Sequence, residues 1–461
     1  MPGKYAKKRK FPLIPVLAAL FLTVIVLVVV LVTGRNDLPD PTEPSQTTVP
    51  AETTVPTTVP PTTVPPTTAP PEVNVIEATA TFTVTGDLLM HKPVFQSCWD
   101  SEKGDWVFDC LFTHVTPYIQ AADYAIANLE TTFGGPECKY GYDGYPRFNT
   151  PDNMADAIKA AGFDMLLTAN NHTNDSDDIG MIRTLDVISG LAMDYLGTKY
   201  TADAPDYVIK EVNGISIGMV CYTYEYPGST EEKISLNGLP LTVESTKLVS
   251  SFNYDRLDAF YAKAERHIQA MKAQGAEATV VFIHWGAEYK LVQNDTQSAI
   301  AQKLCDLGVD VIVGGHPHVV QPMELLTSTD GSRKTVCLYS TGNLLSNQRR
   351  ELMRLNTGHT EDALLFNFTF AKYSDGTVVL QSADITPAWV NMYAEGGRFV
   401  YSIVPLDPGA DWAQFGLAGQ TLAEAQASYQ RTMDIVSPGL RQIREYLRQN
   451  VADTEANIGV N

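Results

Sequence analysis

The chain has 461 residues, 44% of them hydrophobic and 19% charged, enough for one large or two modest domains with an apolar core, which excludes a disordered chain. Its net charge is −20, and six of its 33 basic residues lie in residues 1–35, which hold no acidic residue; the remainder sets 27 basic against 53 acidic side chains. Such an acidic body excludes a general attraction for nucleic acid or anionic lipid. The six cysteines, with no C-x-x-C pair, exclude a disulfide scaffold and a structural zinc site of that type.

Lys4, Lys7, Lys8, Arg9 and Lys10 precede an uncharged, Val/Leu/Ile-rich run from Phe11 to Gly34. About 20 apolar residues cross a bilayer as a helix. With no A-x-A-like cleavage site, the pattern predicts an uncleaved signal anchor over residues 11–34, residues 1–10 in the cytoplasm and the rest outside a single-pass cell-membrane protein. Residues 35–77 are dominated by Thr, Pro and Val, with TTVP repeated. Their prolines favour extended polyproline II at about 3.1 Å per residue, which predicts a spacer rather than a fold.

A domain over residues 78–404 follows. The runs TATFTVT (79–85), DYAIA (123–127), FDMLLT (163–168), ISIGMVCY (215–222), ATVVFIH (278–284), VDVIVG (309–314) and TVCLYS (335–340) predict buried strands. Helical stretches at 151–161, 179–190, 255–273 and 296–307 lie between several of them. This alternation predicts an α/β domain of largely parallel, doubly covered strands, with ligands beyond their carboxyl ends. Residues 405–461 predict a helical extension of two segments divided by Ser437-Pro438-Gly439.

The strand ends carry the chemistry. Asp87 follows TFTVT, Asn128-Leu129-Glu130 follows DYAIA, and Asn170-Asn171-His172 with Asp175 follows FDMLLT. His284, with Glu288 nearby, ends ATVVFIH, and Gly315-His316-Pro317-His318 ends VDVIVG. Imidazole nitrogen mixed with carboxylate and carbonyl oxygen suits one or two first-row divalent ions such as Mn, Zn or Fe. A lone aspartate after glycine is more often a turn, and a lone histidine more often structural, but the conjunction of four of the eight histidines at such ends favours a metal-centred site.

Gly86-Asp87, Asn128-Leu129-Glu130, ANNHTND (169–175), HWGAEY (284–289), GHPHVVQP (315–322) and Ser340-Thr341-Gly342-Asn343 resemble, in order, the motifs of the CapA family of capsule-synthesis proteins associated with poly-γ-glutamate. The resemblance, over about residues 80–390, implies the four-layer α/β/β/α sandwich of calcineurin-like metallophosphoesterases and a two-metal site. In it Asp87 and His318 serve one metal, Glu130 bridges, Asn171, His284 and His316 serve the second, and His172 acts as an acid near substrate. The chain departs from the superfamily pattern where Leu88 and Leu89 replace the Asp-x-His opening, leaving His91 as the nearest histidine, and where Glu130 stands for a bridging aspartate. Asp177 and Leu344 depart from the usual CapA glycine and phenylalanine.

Around these ligands, Asn170, Glu288, Gln321 and Asn343 are expected as supporting or pocket residues, with Asp175 either holding the His172 tautomer or capping the following helix. Ser340 fits a turn, and His114, His267 and His359 are expected at the surface. Cys221, Cys305 and Cys337 read as core thiols, while Cys98, Cys110 and Cys138 allow one disulfide outside the cell, its pairing left open. Two functions follow: an exported metal-dependent hydrolase or transferase, or a noncatalytic component that holds an anionic cell-surface polymer or its precursor beside capsule-assembly membrane proteins.

Overall fold

The computed structural model describes residues 74–456; the expected cytoplasmic segment, membrane anchor and nearly all of the Thr/Pro spacer lie outside them. Among the described residues no helix is long and apolar enough to cross a membrane. The first strand begins at Ile76, just inside the expected spacer.

Two seven-stranded sheets form the body. The first runs β18 (Arg398–Pro405), β17 (Val378–Glu395), β16 (Asp362–Tyr373), β1 (Ile76–Leu88), β4 (Tyr124–Leu129), β5 (Met165–Leu167) and β6 (Asp194–Leu196). From β1 to β6 the pairing is parallel; from β1 through β16 and β17 to β18 it is antiparallel. The second runs β11 (Ser251–Phe252), β8 (Ile215–Tyr224), β12 (Ala278–His284), β13 (Val311–Gly315), β15 (Lys334–Leu338) and β14 (Met323–Thr327), with β7 (Tyr207–Val212) also on β8. In it β7 and β14 are antiparallel to their neighbours. Two short hairpins, β2–β3 (Trp99–Asp100, Asp105–Trp106) and β9–β10 (Ser235–Leu236, Leu239–Pro240), stand apart.

The expectation of largely parallel strands holds for the site-bearing half of each sheet and fails at β7 and β14 in the second sheet and, in the first, for β16, β17 and β18. Those strands are joined by tight turns at Ser374-Asp375-Gly376 and Gly396-Gly397, whose glycines take positive φ, a hairpin signal present in the sequence.

Alternate residues of the strands face opposite sides, so each sheet buries two surfaces. Phe82, Val84, Phe366 and Phe368 of the first sheet and Met219, Val280, Phe282 and Val313 of the second share one apolar cluster between the sheets. The outer face of the first sheet is covered by α1 (Lys92–Ser97), α2 (Asp109–Phe112), α3 (Thr116–Ile119) and α4 (Asn153–Ala161), through Phe95, Leu111, Ile119 and Ile158. α5 (Asp177–Gly190) follows on the same side, Ile188 joining that cluster. The outer face of the second sheet is covered by α6 (Leu257–Ala273) and α7 (Asp295–Asp306), through Phe260, Ile268, Ile300 and Leu304. The order is therefore helices, sheet, sheet, helices.

The C-terminal segment is one 37-residue helix, α8 (Gln420–Ala456), that continues through Pro438. A proline inside a helix costs about 3 kcal/mol. Val436, Leu440, Ile443 and Leu447 on α8 enter the cluster between the sheets, and burying each such side chain contributes roughly 1.5–3 kcal/mol, which outweighs that cost. Two separate helices would give up this continuous contact.

Candidate metal centre

Strand order brings the site together. The carboxyl ends of β1, β4 and β5 in the first sheet and of β12, β13 and β15 in the second meet along one rim. Gly86 makes the junction: a Cβ there would lie 2.0 Å from the Gly342 carbonyl, and the register of β1 against β4 shifts at this point. The 340–345 loop can thus cross the end of β1, with Asp87 N–H donating to Gly342 O at 2.9 Å.

Asp87, Glu130, Asn171, His172, His284, His316 and His318 are all buried. Glu130, His284 and His316 present one ligand atom each within 4.8 Å of one another, as do Asp87, Glu130 and His318, so Glu130 is common to both groups. Its Oε1 has no hydrogen-bond partner, yet it lies 3.7 Å from His284 Nε2, 3.8 Å from His318 Nε2 and 4.0 Å from His172 Nε2. Asp87 Oδ2 and His316 Nδ1 are likewise buried without a hydrogen bond. Unpaired buried polar atoms are costly, so several of them converging on one point mark a place shaped for a cation. Gly315 keeps that place open, because a Cβ there would sit 3.2 Å from Asp87 Oδ1.

Hydrogen bonds orient the ligands. Asn171 Oδ1 meets His284 Nε2 at 2.7 Å, so both atoms face the same point. His318 Nδ1 faces two acceptors, Asn343 Oδ1 at 3.1 Å and Asp87 Oδ2 at 3.3 Å, which places its proton on Nδ1 and leaves Nε2 free as a ligand. His316 and His318 both carry positive φ, 96° and 58°, a strained backbone that turns two alternate imidazoles into one site. Beside them His172 Nδ1 donates to Asp175 Oδ2 at 2.7 Å, and the same oxygen accepts from Phe148 N–H at 2.6 Å. Asp175 therefore orients His172 and does not cap α5.

The charges fit a cation. Burial, then the negative charge of Asp87, raises the Glu130 carboxyl well above its usual range. Burial, then the neighbouring imidazoles, depresses His284 and His316 well below theirs and keeps them neutral, the form in which histidine ligates. Burial also opposes charge on His318, but the Asp87 carboxylate 3.3 Å away outweighs this and raises it.

The supporting residues divide. Asn170 braces the loop, donating to Leu129 O at 2.7 Å and accepting from His172 N–H at 3.0 Å. Asn343 holds His318 and also donates to Gln348 Oε1 and Thr360 O, each at 3.0 Å. Gln321 stands behind the rim, donating to Lys290 O at 2.8 Å and accepting from Gln297 at 3.0 Å. Glu288 is exposed at the mouth, where its charge adds to the raising of Glu130 and His318. Ser340 forms the turn before Gly342.

His91 lies outside both ligand groups. Its Nδ1 is 3.2 Å from both Leu89 O and the Asn347 nitrogen, and burial depresses it to about 4. His114, His267 and His359 are half-buried rather than at the surface, and His267 bonds the Tyr222 hydroxyl at 2.8 Å.

Sequence reasoning named Asn128 only as part of a strand-end motif and missed its role, which is to donate to Asp87 Oδ1 at 2.8 Å and to Glu130 Oε2 at 3.4 Å. It also missed Tyr224, whose ring packs 4.8 Å from that of His316.

The chain is 29% identical over 311 residues to the capsule biosynthesis protein CapA of Bacillus anthracis, covering 67% of this chain and 66% of that protein. It is 28% identical over 309 residues to the PGA biosynthesis protein CapA of Bacillus subtilis (strain 168), covering 66% and 72%. The crystal structure of TT1561 of Thermus thermophilus aligns with 62% of this chain and 93% of its own at 9% identity, with a TM-score of 0.31 that is too low to bear on the fold. The family described as bacterial capsule synthesis protein PGA_cap matches residues 81–348, more than half of the chain and every candidate ligand, and the chain belongs to that family.

Proposed function

We propose that this chain is a membrane-anchored, extracellular capsule-synthesis protein whose centre hydrolyses or transfers a phosphoryl or acyl group with the help of one or two divalent ions. The observation that carries it is Glu130 Oε1, buried, unbonded and ringed by three imidazole nitrogens. Asn171, His284, His316 and Glu130 would hold one ion, and Asp87, His318 and Glu130 the other. Such ions supply a Lewis acid and an activated water of lowered pKa.

The chain's own residues do the rest. Asp175 keeps a proton on His172 Nδ1, so Nε2 is the atom that exchanges protons with substrate. Phe148, whose ring stands edge-on 4.7 Å from that of His172, screens the dyad from water, and its N–H fixes the carboxylate. Asn343 and Asn128 prevent His318 and Asp87 from turning away. The basic segment, apolar run and Thr/Pro spacer support placement on the outer face of the membrane, and the relatives' capsule association supports an anionic polymer or its precursor as ligand, with capsule-assembly membrane proteins as neighbours.

A groove of about 450 Å³ favours a second reading. Tyr140, Tyr145, Pro146, Arg147, Asn237 and Leu239 line it, and Arg147 reaches the His172 loop at Asp175 O, 3.5 Å away. It could hold a polymer without reaction. The test is metal analysis of the purified chain with phosphoester and γ-glutamyl substrates, for the parent and His172→Gln. A catalytic His172 predicts unchanged metal content with turnover lowered about 10²- to 10⁴-fold and binding little altered. Turnover undetectable in the parent, with polymer still bound, would leave the holding role.

A further inference from the structure

We propose that Cys98 and Cys110 form an intramolecular disulfide that fastens the β2–β3 hairpin, an inference that rests on the reading that this domain lies outside the cytoplasm. α1 ends at Cys98; the chain then turns through β2 and β3, pairing Trp99 with Trp106. Val107 N–H donates to Cys98 O at 2.8 Å, so Cys98 and Val107 flank that pair across the ladder, where facing Cα atoms lie about 4.5–5.5 Å apart. Cys110 stands one helical turn beyond Val107, in the first turn of α2, and its thiol returns to Val107 O at 3.8 Å. Both cysteines are thus fixed to the same residue, close enough that each thiol is the largest influence on the other's ionisation. Cys138 belongs to a different turn, residues 135–141.

The two thiols differ in the way a forming disulfide uses. Cys98 is buried in the cluster beneath the first sheet, and Cys110 is exposed. The partner thiol draws Cys110 below the ordinary thiol value, which favours its thiolate. That thiolate attacks one sulfur of an external disulfide, either a protein thiol–disulfide oxidoreductase or a small-molecule disulfide, and releases the other sulfur as a thiolate. Cys98, losing its proton, then attacks the Cys110 sulfur of the mixed disulfide and releases the second thiolate. The oxidant gains two electrons and ends as a dithiol, or two thiols, once protonated, and the chain loses two thiol protons. The hairpin otherwise rests on two-residue strands, the Trp99–Trp106 and Trp106–Tyr142 ring contacts at 4.8 and 5.5 Å, and the Arg398 bond to Trp99 O at 3.3 Å. A covalent link would hold it, with α1 and α2, against the edge strand β18.

The test is peptide mapping without reduction after alkylation of free thiols, on the full-length chain taken from cells and on the same chain in detergent equilibrated with oxidised glutathione. Linked Cys98 and Cys110 peptides in both samples are expected. Linkage in the detergent sample alone would uphold the pair and count against export. Alkylation of both thiols in both samples, or a link to Cys138, would overturn the pair. In a parallel melt, reductant should lower the midpoint of the parent by on the order of 5 °C and leave Cys110→Ser unmoved; equal effects on both would overturn it.

Discussion

Glu130 sets the pH response of the metal-free centre. Its folded carboxyl and the His318 imidazole hold protons above their ordinary values, so above pH 6.5 the folded chain binds protons that the unfolded chain has released. His284 and His316, depressed by burial, are neutral in the folded state, and once pH is about a unit above the ordinary imidazole value of about 6.5 they are neutral in the unfolded state too and drop out of the comparison. Stability contributed by the raised groups is complete below their unfolded values and is lost as pH rises through the folded ones. The chelated protein should therefore lose stability as pH rises above about 7.5, a loss that Glu130→Gln reduces. Added divalent ion should reverse the slope, because a bound cation favours the ionised carboxylate and unprotonated imidazole. Urea midpoints across that range, with and without chelator, check this; a slope indifferent to both metal and Glu130→Gln would remove the centre's claim to hold a cation.

At the scale of elements, α8 depends on one missing side chain. Gly439 lies against β14, and a Cβ there would meet Met323 O at 1.8 Å and the Met323 carbonyl carbon at 2.6 Å. Alanine in a helix interior ordinarily stabilises by roughly 0.5–1 kcal/mol relative to glycine. Here the sign reverses, because the obstructing atoms are backbone and helix and strand must separate, a kind of overpacking that costs typically about 1–3 kcal/mol. Gly439→Ala should lower the melting temperature. Gly190→Ala, at the end of α5 with open space around its missing Cβ, should leave it unchanged or slightly raised. If the two substitutions behave alike, α8 does not press on β14 as described.

The whole molecule is closed by that same helix. Beyond its four core side chains, Arg431 of α8 pairs with the buried Asp362 at 2.7 Å, at the start of β16, and Ser428 donates to the same carboxylate at 2.6 Å. Each of the four apolar side chains contributes roughly 1.5–3 kcal/mol, so together they rival the about 5–15 kcal/mol that holds a typical domain folded. A chain ending at residue 419 should accordingly fail to accumulate as a folded protein, and circular dichroism with limited proteolysis would show it. A truncated chain that melts cooperatively near the parent temperature would make α8 an appendage.

The alternation of short apolar runs with amphipathic stretches was sufficient to locate seven parallel strands and the four longer helices before α8, because buried strands and amphipathic helices write their periods directly into residue order; β6 and β11, of three and two residues, carry no such run. It also located the candidate ligands, since the polar residues that end those strands are all that a strand's carboxyl end can present to a shared rim. Local order could not reveal that Asp175 faces His172 rather than capping α5, for the choice depends on Phe148 N–H arriving from a distant loop. Nor could it show that Asn128 binds Asp87 across neighbouring strands, or that His91, four residues after Asp87, turns toward Asn347 instead of the centre. The helix through Pro438 was hidden for a related reason: proline and glycine signal a break locally, and only the groove between two sheets supplies the burial that overrides it. What residue order determined was therefore each element and its chemistry; which side chains meet was decided by tertiary packing, where contacts between residues far apart in the chain outweigh local preference.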